Sequence, residues 1–187
     1  MTSLALHRSD AVSMILLPDR RGLPPALAEL IGVRFPDART LPFRGRSVPE
    51  RNRWAAQLDE AVNHAARPVM LVASGVGCFA AAWWGRLTPR YYVERVAGAL
   101  MVDPVEGGPV ASLASPRIPL PFASMLVEGD ALTHADSLRM LADGWGAETG
   151  IGPSAGTATG AFSRLVERWT RRVVEREVGL HGLRTEL

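Results

Sequence analysis

Short apolar runs alternate with stretches of helical spacing along most of this chain. Ala11 to Leu17 is an apolar run stopped by Pro18 and reads as a buried strand. Pro24-Pro25 then opens a helix predicted to run through Leu30, because proline suits the first helical turn. Arg39 to Phe43 is a weaker strand candidate. Ser47 followed by Glu50 has the spacing of a capping box. Behind it, Trp54, Leu58 and Val62 share one face of a helix reaching about Ala66. Pro68 ends that helix, and Val69 to Val72 reads as a strand, followed by the Ser74-Gly75-Val76-Gly77 turn and a helix over Cys78 to Gly85. Ala97 to Val102 and Ser124 to Val127 are further strands, and Ala135 to Trp145 is helical. The segments 104–122 and 149–160 are rich in Gly, Pro, Ser and Thr and read as loops. Phe162, Leu165, Val166, Trp169, Val173 and Val174 mark a closing amphipathic helix.

The strands are apolar throughout instead of alternating, the pattern of a sheet covered on both faces. Strands alternating with helices then predict a mostly parallel sheet in a three-layer α/β/α sandwich with right-handed crossovers. Ligands of such folds sit at the carboxyl ends of the strands. The chemistry is therefore expected in segments 18–22, 73–78, 103–108, 128–134 and 150–159.

At 187 residues the chain is expected to form a single domain, 1–187, large enough for a core without staples. Its 47% hydrophobic and 21% charged residues exclude wholesale disorder. No apolar run approaches the roughly 18 residues that span a bilayer, so no membrane role is expected. The net charge is only +2, and every basic residue is arginine. The densest basic cluster, Arg164, Arg168, Arg171, Arg172 and Arg176, is interleaved with Glu167, Glu175 and Glu177. It reads as a solvated helix face, and no nucleic-acid partner is expected. The single cysteine, Cys78, excludes an internal disulfide. Asp10 interrupts the early basic segment and no small-residue cleavage site follows, so no signal peptide and a cytoplasmic location are expected.

Several segments, taken in order, carry a resemblance. They are Trp54-Ala-Ala-Gln-Leu-Asp-Glu-Ala-Val, Leu71-Val-Ala-Ser-Gly-Val-Gly-Cys78, Gly98-Ala-Leu-Met-Val102, Leu120-Pro-Phe-Ala-Ser-Met-Leu-Val127, and Asp130 to Gly146 with its Trp-Gly pair. From about Val12 to Phe162 the chain resembles the small α/β-hydrolases of the retinoblastoma-binding-protein-nine and YdeN type. These are single-domain serine hydrolases without a lid, which need no cofactor. The resemblance implies a nucleophile elbow at Leu71–Cys78, where the family reads roughly Leu-Val-Gly-His-Ser-Leu-Gly-Cys. The nucleophile then falls on Gly75 and the preceding histidine on Ser74. The family's catalytic histidine follows an Ala-Gly pair; here Ala155-Gly156 places it on Thr157. The catalytic aspartate matches Asp130, with two residues missing just before it. The first-strand loop, which helps hold an oxyanion in the family, is Pro18-Asp19-Arg20-Arg21-Gly22.

Serine needs an adjacent base to become a nucleophile, and that base needs an orienting group. Glycine has no side chain, and threonine is no base near neutral pH. The expectation is a degenerate triad, a pseudoenzyme whose pocket or surface binds instead. Candidate occupants are a small acidic or ester-like ligand, a protein partner or a second copy of the chain.

Alternatives remain open. A one-residue shift would put Ser74 at the elbow tip, to act with Asp130 and a base such as His134, four residues further on. The tight turn wants small residues two before and two after its tip. Ala73 and Gly77 satisfy this for Gly75, whereas Ser74 is flanked by the β-branched Val72 and Val76. Otherwise Ser74 is a turn serine capping the next helix, Asp130 a capping aspartate and His134 a surface residue. Cys78 lies where a helix start would stabilise a thiolate, though packing suits it equally. Finally, Gly75-Val-Gly-Cys-Phe-Ala80 fits G-x-G-x-x-A, with Asp103 ending the next strand, a dinucleotide pattern that normally belongs to a first βα unit.

Overall fold

The computed structural model describes residues 12–104, 113, 118–128, 135–151, 164, 167–173 and 175. Among these residues six strands form one parallel sheet: β1 (Ser13–Leu17), β2 (Arg39–Thr40), β3 (Val69–Ser74), β4 (Val96–Val102), β5 (Ala123–Glu128) and β6 (Glu148–Ile151). Their order is β2-β1-β3-β4-β5-β6. The helices are α1 (Pro25–Arg34), α2 (Val48–Asn63), α3 (Val76–Leu87), the single turn α4 (Arg90–Val93) and α5 (Ala135–Trp145).

Two cores flank the sheet, and the two-residue period of the strands sorts their side chains between them. Ile15, Leu17, Leu71, Ala73, Ala99 and Met101 face α2, α3 and α5. Met14, Met70, Val72, Leu100 and Val102 face α1 and the helical residues 167–173, where Trp169 and Val173 are buried. Both faces are dry, which is why β3 and β4 carry no polar alternation. The covering helices sit on opposite faces because the chain changes direction. From β1 it runs outward to β2, and from β3 it runs the other way to β4, β5 and β6. Right-handed crossovers then put α1 on one side and α2, α3 and α5 on the other.

The capping box forms as the spacing predicts. Ser47 Oγ accepts the Glu50 N–H, and Glu50 Oε2 accepts the Ser47 N–H at 3.0 Å and the Arg46 N–H at 2.7 Å. Trp54, Leu58, Ala61 and Val62 are the buried stripe of α2. The adjacent tryptophans divide as the 100° step between neighbours requires. Trp84 is buried and donates from Nε1 to Asp59 Oδ1 at 2.7 Å, while Trp83 is half-buried against the same core.

Some boundaries differ from the sequence expectation. Helix α1 continues past Leu30 to Arg34, since Ile31 still packs into the second core. The expected strand Arg39–Phe43 shortens to Arg39–Thr40. Leu41 and Phe43 still donate to Leu16 and Pro18, but Pro42 has no N–H to continue a ladder. Residues 148–151, three of them assigned to a loop, form β6. Among the described residues no helix is long and apolar enough to cross a membrane.

Candidate functional site

Strands β1 and β3 are neighbours at the point where the strand order reverses. A crevice opens outside the carboxyl ends of such a pair, and parallel α/β sheets place their ligands there. Two segments meet at this edge: 18–22, leaving β1, and 74–78, leading from β3 into α3.

Gly75 makes the turn between β3 and α3 with φ 55° and ψ −126°. A side chain is strained in that region, and glycine is not. Its N–H donates to the Val102 carbonyl at 3.1 Å, tying the turn to the end of β4. Two residues on, a Cβ at Gly77 would lie 2.0 Å from the carbonyl oxygen of Leu17. The helix start therefore presses directly on the end of β1. This strand–turn–helix arrangement is that of a nucleophile elbow.

Ser74 is the last residue of β3 and only 3% exposed. Its hydroxyl donates to the Gly22 carbonyl at 2.8 Å. The expectation that Ser74 caps the following helix is corrected here: Gly75 is the capping position, and no side chain caps α3. Ser74 reaches the first-strand loop because β1 lies beside β3, with Leu17 opposite Ala73.

That loop is closed on itself. The Gly22 N–H donates to the Asp19 carbonyl at 3.2 Å, and the Arg21 N–H donates to Asp19 Oδ1 at 2.7 Å. Arg20 and Arg21 point to solvent. The other carboxylate oxygen of Asp19 lies over the elbow, 2.1 Å from where a Cβ on Gly75 would stand, with Cγ at 2.7 Å. Sequence reading placed Asp19 in the loop but gave it no role. Its one readable signal is a carboxylate two residues past β1, at the strand-order reversal.

Cys78 is fully buried, and its thiol donates to the Val102 carbonyl at 3.5 Å. Burial pushes the thiol well above its ordinary range, and the charges of Asp19 and Asp103 add to the rise. Packing is therefore its role here, and the helix start yields no thiolate. Asp103 bends the chain after β4 with φ 51°, and its N–H donates to the Val127 carbonyl at 3.0 Å. At the end of β5, Glu128 holds one carboxylate oxygen, Oε1, buried without a hydrogen-bond partner among the described residues. His64 is exposed at the end of α2, with Nδ1 2.9 Å from the Glu60 carbonyl oxygen. Asp130, His134 and Thr157 lie outside the described residues, as do His7 and His181. Among the described residues no group of three or more His, Cys, Asp or Glu is placed to hold a metal ion.

The parallel sandwich and its elbow define an α/β-hydrolase-type protein. The chain belongs to the serine hydrolase family, whose family model matches residues 30–160. Its fold is similar to the crystal structure of a protein described as a YdeN-like hydrolase from Pectobacterium atrosepticum. The two share 19% identity and a TM-score of 0.66 over 93% of this chain and 97% of the other. No curated protein matches the sequence.

Proposed function

We propose that this chain keeps the scaffold of a small serine hydrolase but carries out no serine-based acyl transfer, and that it binds a small ligand or a protein instead. The observation that carries this reading is the glycine at the elbow. Acyl transfer needs an oxygen presented at the turn and a base within hydrogen-bond reach. At Gly75 there is no oxygen to present. Ser74, one residue earlier, directs its proton to the Gly22 carbonyl from a buried position, so its hydroxyl is committed to a structural bond. On the family alignment Thr157 replaces the base, which leaves Asp130 with no imidazole to orient.

The dinucleotide pattern at Gly75–Ala80 has a structural explanation in both glycines. One takes the positive φ, and the other admits the Leu17 carbonyl. A pyrophosphate at this turn would also meet the Asp19 carboxylate, which further disfavours that reading.

A fluorophosphonate probe, read by intact-mass and peptide mass spectrometry, tests the proposal. The folded protein is expected to stay unlabelled. Labelling of Ser74 would establish an activated serine and restore the hydrolase reading, with Asp130 and a base such as His134.

A further inference from the structure

We propose that the Asp19 carboxylate is an internal occupant of the elbow, holding the space of the residue-75 side chain and keeping external anions away from the start of α3. This deepens, and rests on, the reading of the pocket as non-nucleophilic.

The steric argument comes first. A Cβ at position 75 would stand 2.1 Å from Asp19 Oδ2 and 2.7 Å from Cγ, distances at which atoms overlap. Residue 75 can carry a side chain, or Asp19 can keep its place, but not both. Three further contacts fix that place. Oδ1 is held by the Arg21 N–H, the loop is closed by the Asp19–Gly22 bridge, and Ser74 ties Gly22 to the end of β3. None of these is an ion pair: among the described residues no arginine pairs with Asp19, although Arg20 and Arg21 follow it directly. Backbone geometry therefore aims the carboxylate inward, while the neighbouring guanidinium groups face solvent.

The electrostatic argument points the same way. A helix start favours a negative charge, and here the chain supplies it from within. A ligand carboxylate or phosphate at the apex would face the Asp19 carboxylate at close range, and like charges so placed repel. On this proposal an acidic ligand is disfavoured at the apex. A ligand reaching the apex is neutral or cationic, with a hydrogen-bond donor for Asp19.

A double-mutant cycle by thermal unfolding tests the overlap. Gly75→Ala is expected to lower the melting temperature by at least about 4 °C more in the Asp19 protein than in an Asp19→Ala background. Formate, with chloride at equal ionic strength as control, is expected to raise the melting temperature of Asp19→Ala and not of the parent, by replacing the missing carboxylate. Equal effects of Gly75→Ala in both backgrounds, or equal stabilisation of both proteins by formate, would overturn the proposal. If Asp19→Ala does not fold, Asp19→Gly also removes the overlapping atoms and carries the same cycle. The fluorophosphonate result is independent. Labelling of Ser74 sinks the non-nucleophilic reading whatever the cycle gives, whereas an additive cycle in an unlabelled protein sinks only the role of Asp19.

Discussion

The carbonyl oxygen of Leu17 stands 2.0 Å from the position of a Cβ on Gly77, so the end of β1 and the start of α3 are in backbone contact. A methyl group cannot enter there without separating strand from helix. Gly77→Ala is expected to cost about 3 kcal/mol or more, as overpacking against rigid backbone does. Gly32 is the contrast: it is exposed on α1, and a Cβ there meets nothing within 4 Å. Gly32→Ala is expected to stabilise by about 0.5–1 kcal/mol through helix propensity. Urea unfolding of the two variants checks both signs.

On the function proposed above, acyl transfer at the elbow would require more than a hydroxyl and an imidazole. Gly75→Ser with Thr157→His supplies a hydroxyl and an imidazole but leaves the new Cβ in collision with Asp19. The double variant is expected to be unstable and inert toward p-nitrophenyl acetate. Adding Asp19→Gly is expected to raise its melting temperature and yield measurable ester hydrolysis. A triple variant no more stable than the double would mean that Asp19 is not the obstacle.

Asp59 receives two donors at Oδ1, the Trp84 indole at 2.7 Å and the Thr88 hydroxyl at 3.1 Å. The indole is buried, so removing its acceptor leaves an N–H without compensation. Asp59→Ala is expected to destabilise by about 1–3 kcal/mol, and Asp59→Asn, which keeps an acceptor, by less. Equilibrium denaturation followed by tryptophan fluorescence measures both.

The Glu50 carboxylate gives a pH dependence. Backbone N–H groups of Arg46 and Ser47 hold its pKa below the ordinary value of 4.5. A carboxylate whose folded pKa is depressed contributes stability above its unfolded pKa and loses it as pH falls through the folded one. Glu50→Gln should therefore be less stable than the parent at neutral pH. The gap should narrow below about pH 4.5 and close in stronger acid. A gap that stays constant down to acid pH would show that the charge of Glu50 contributes nothing.

The fold was legible wherever burial is symmetrical about an element. The unbroken apolar run Val69–Val72 reads as a strand covered on both sides, and Ser47 with Glu50 marks the start of α2. β6 escaped because Thr149 and Gly150 lack the apolar signature of an inner strand, and it lies at the sheet's rim. α4 escaped because a single turn has no period to detect. At the elbow, the small residues Ala73 and Gly77 located the turn at Gly75. The partners of that turn were not legible, because the approach of Asp19 to Gly75 and of Ser74 to Gly22 depends on β1 lying beside β3. Local pattern carries no record of which strands become neighbours.

Among the described residues the outer strands of the sheet, β2 and β6, span two and four residues. A rim that short offers few open hydrogen-bonding groups as a template for another chain. At β2, where the described edge is two residues long, growth of the sheet from molecule to molecule is thus discouraged by the outline of the edge itself.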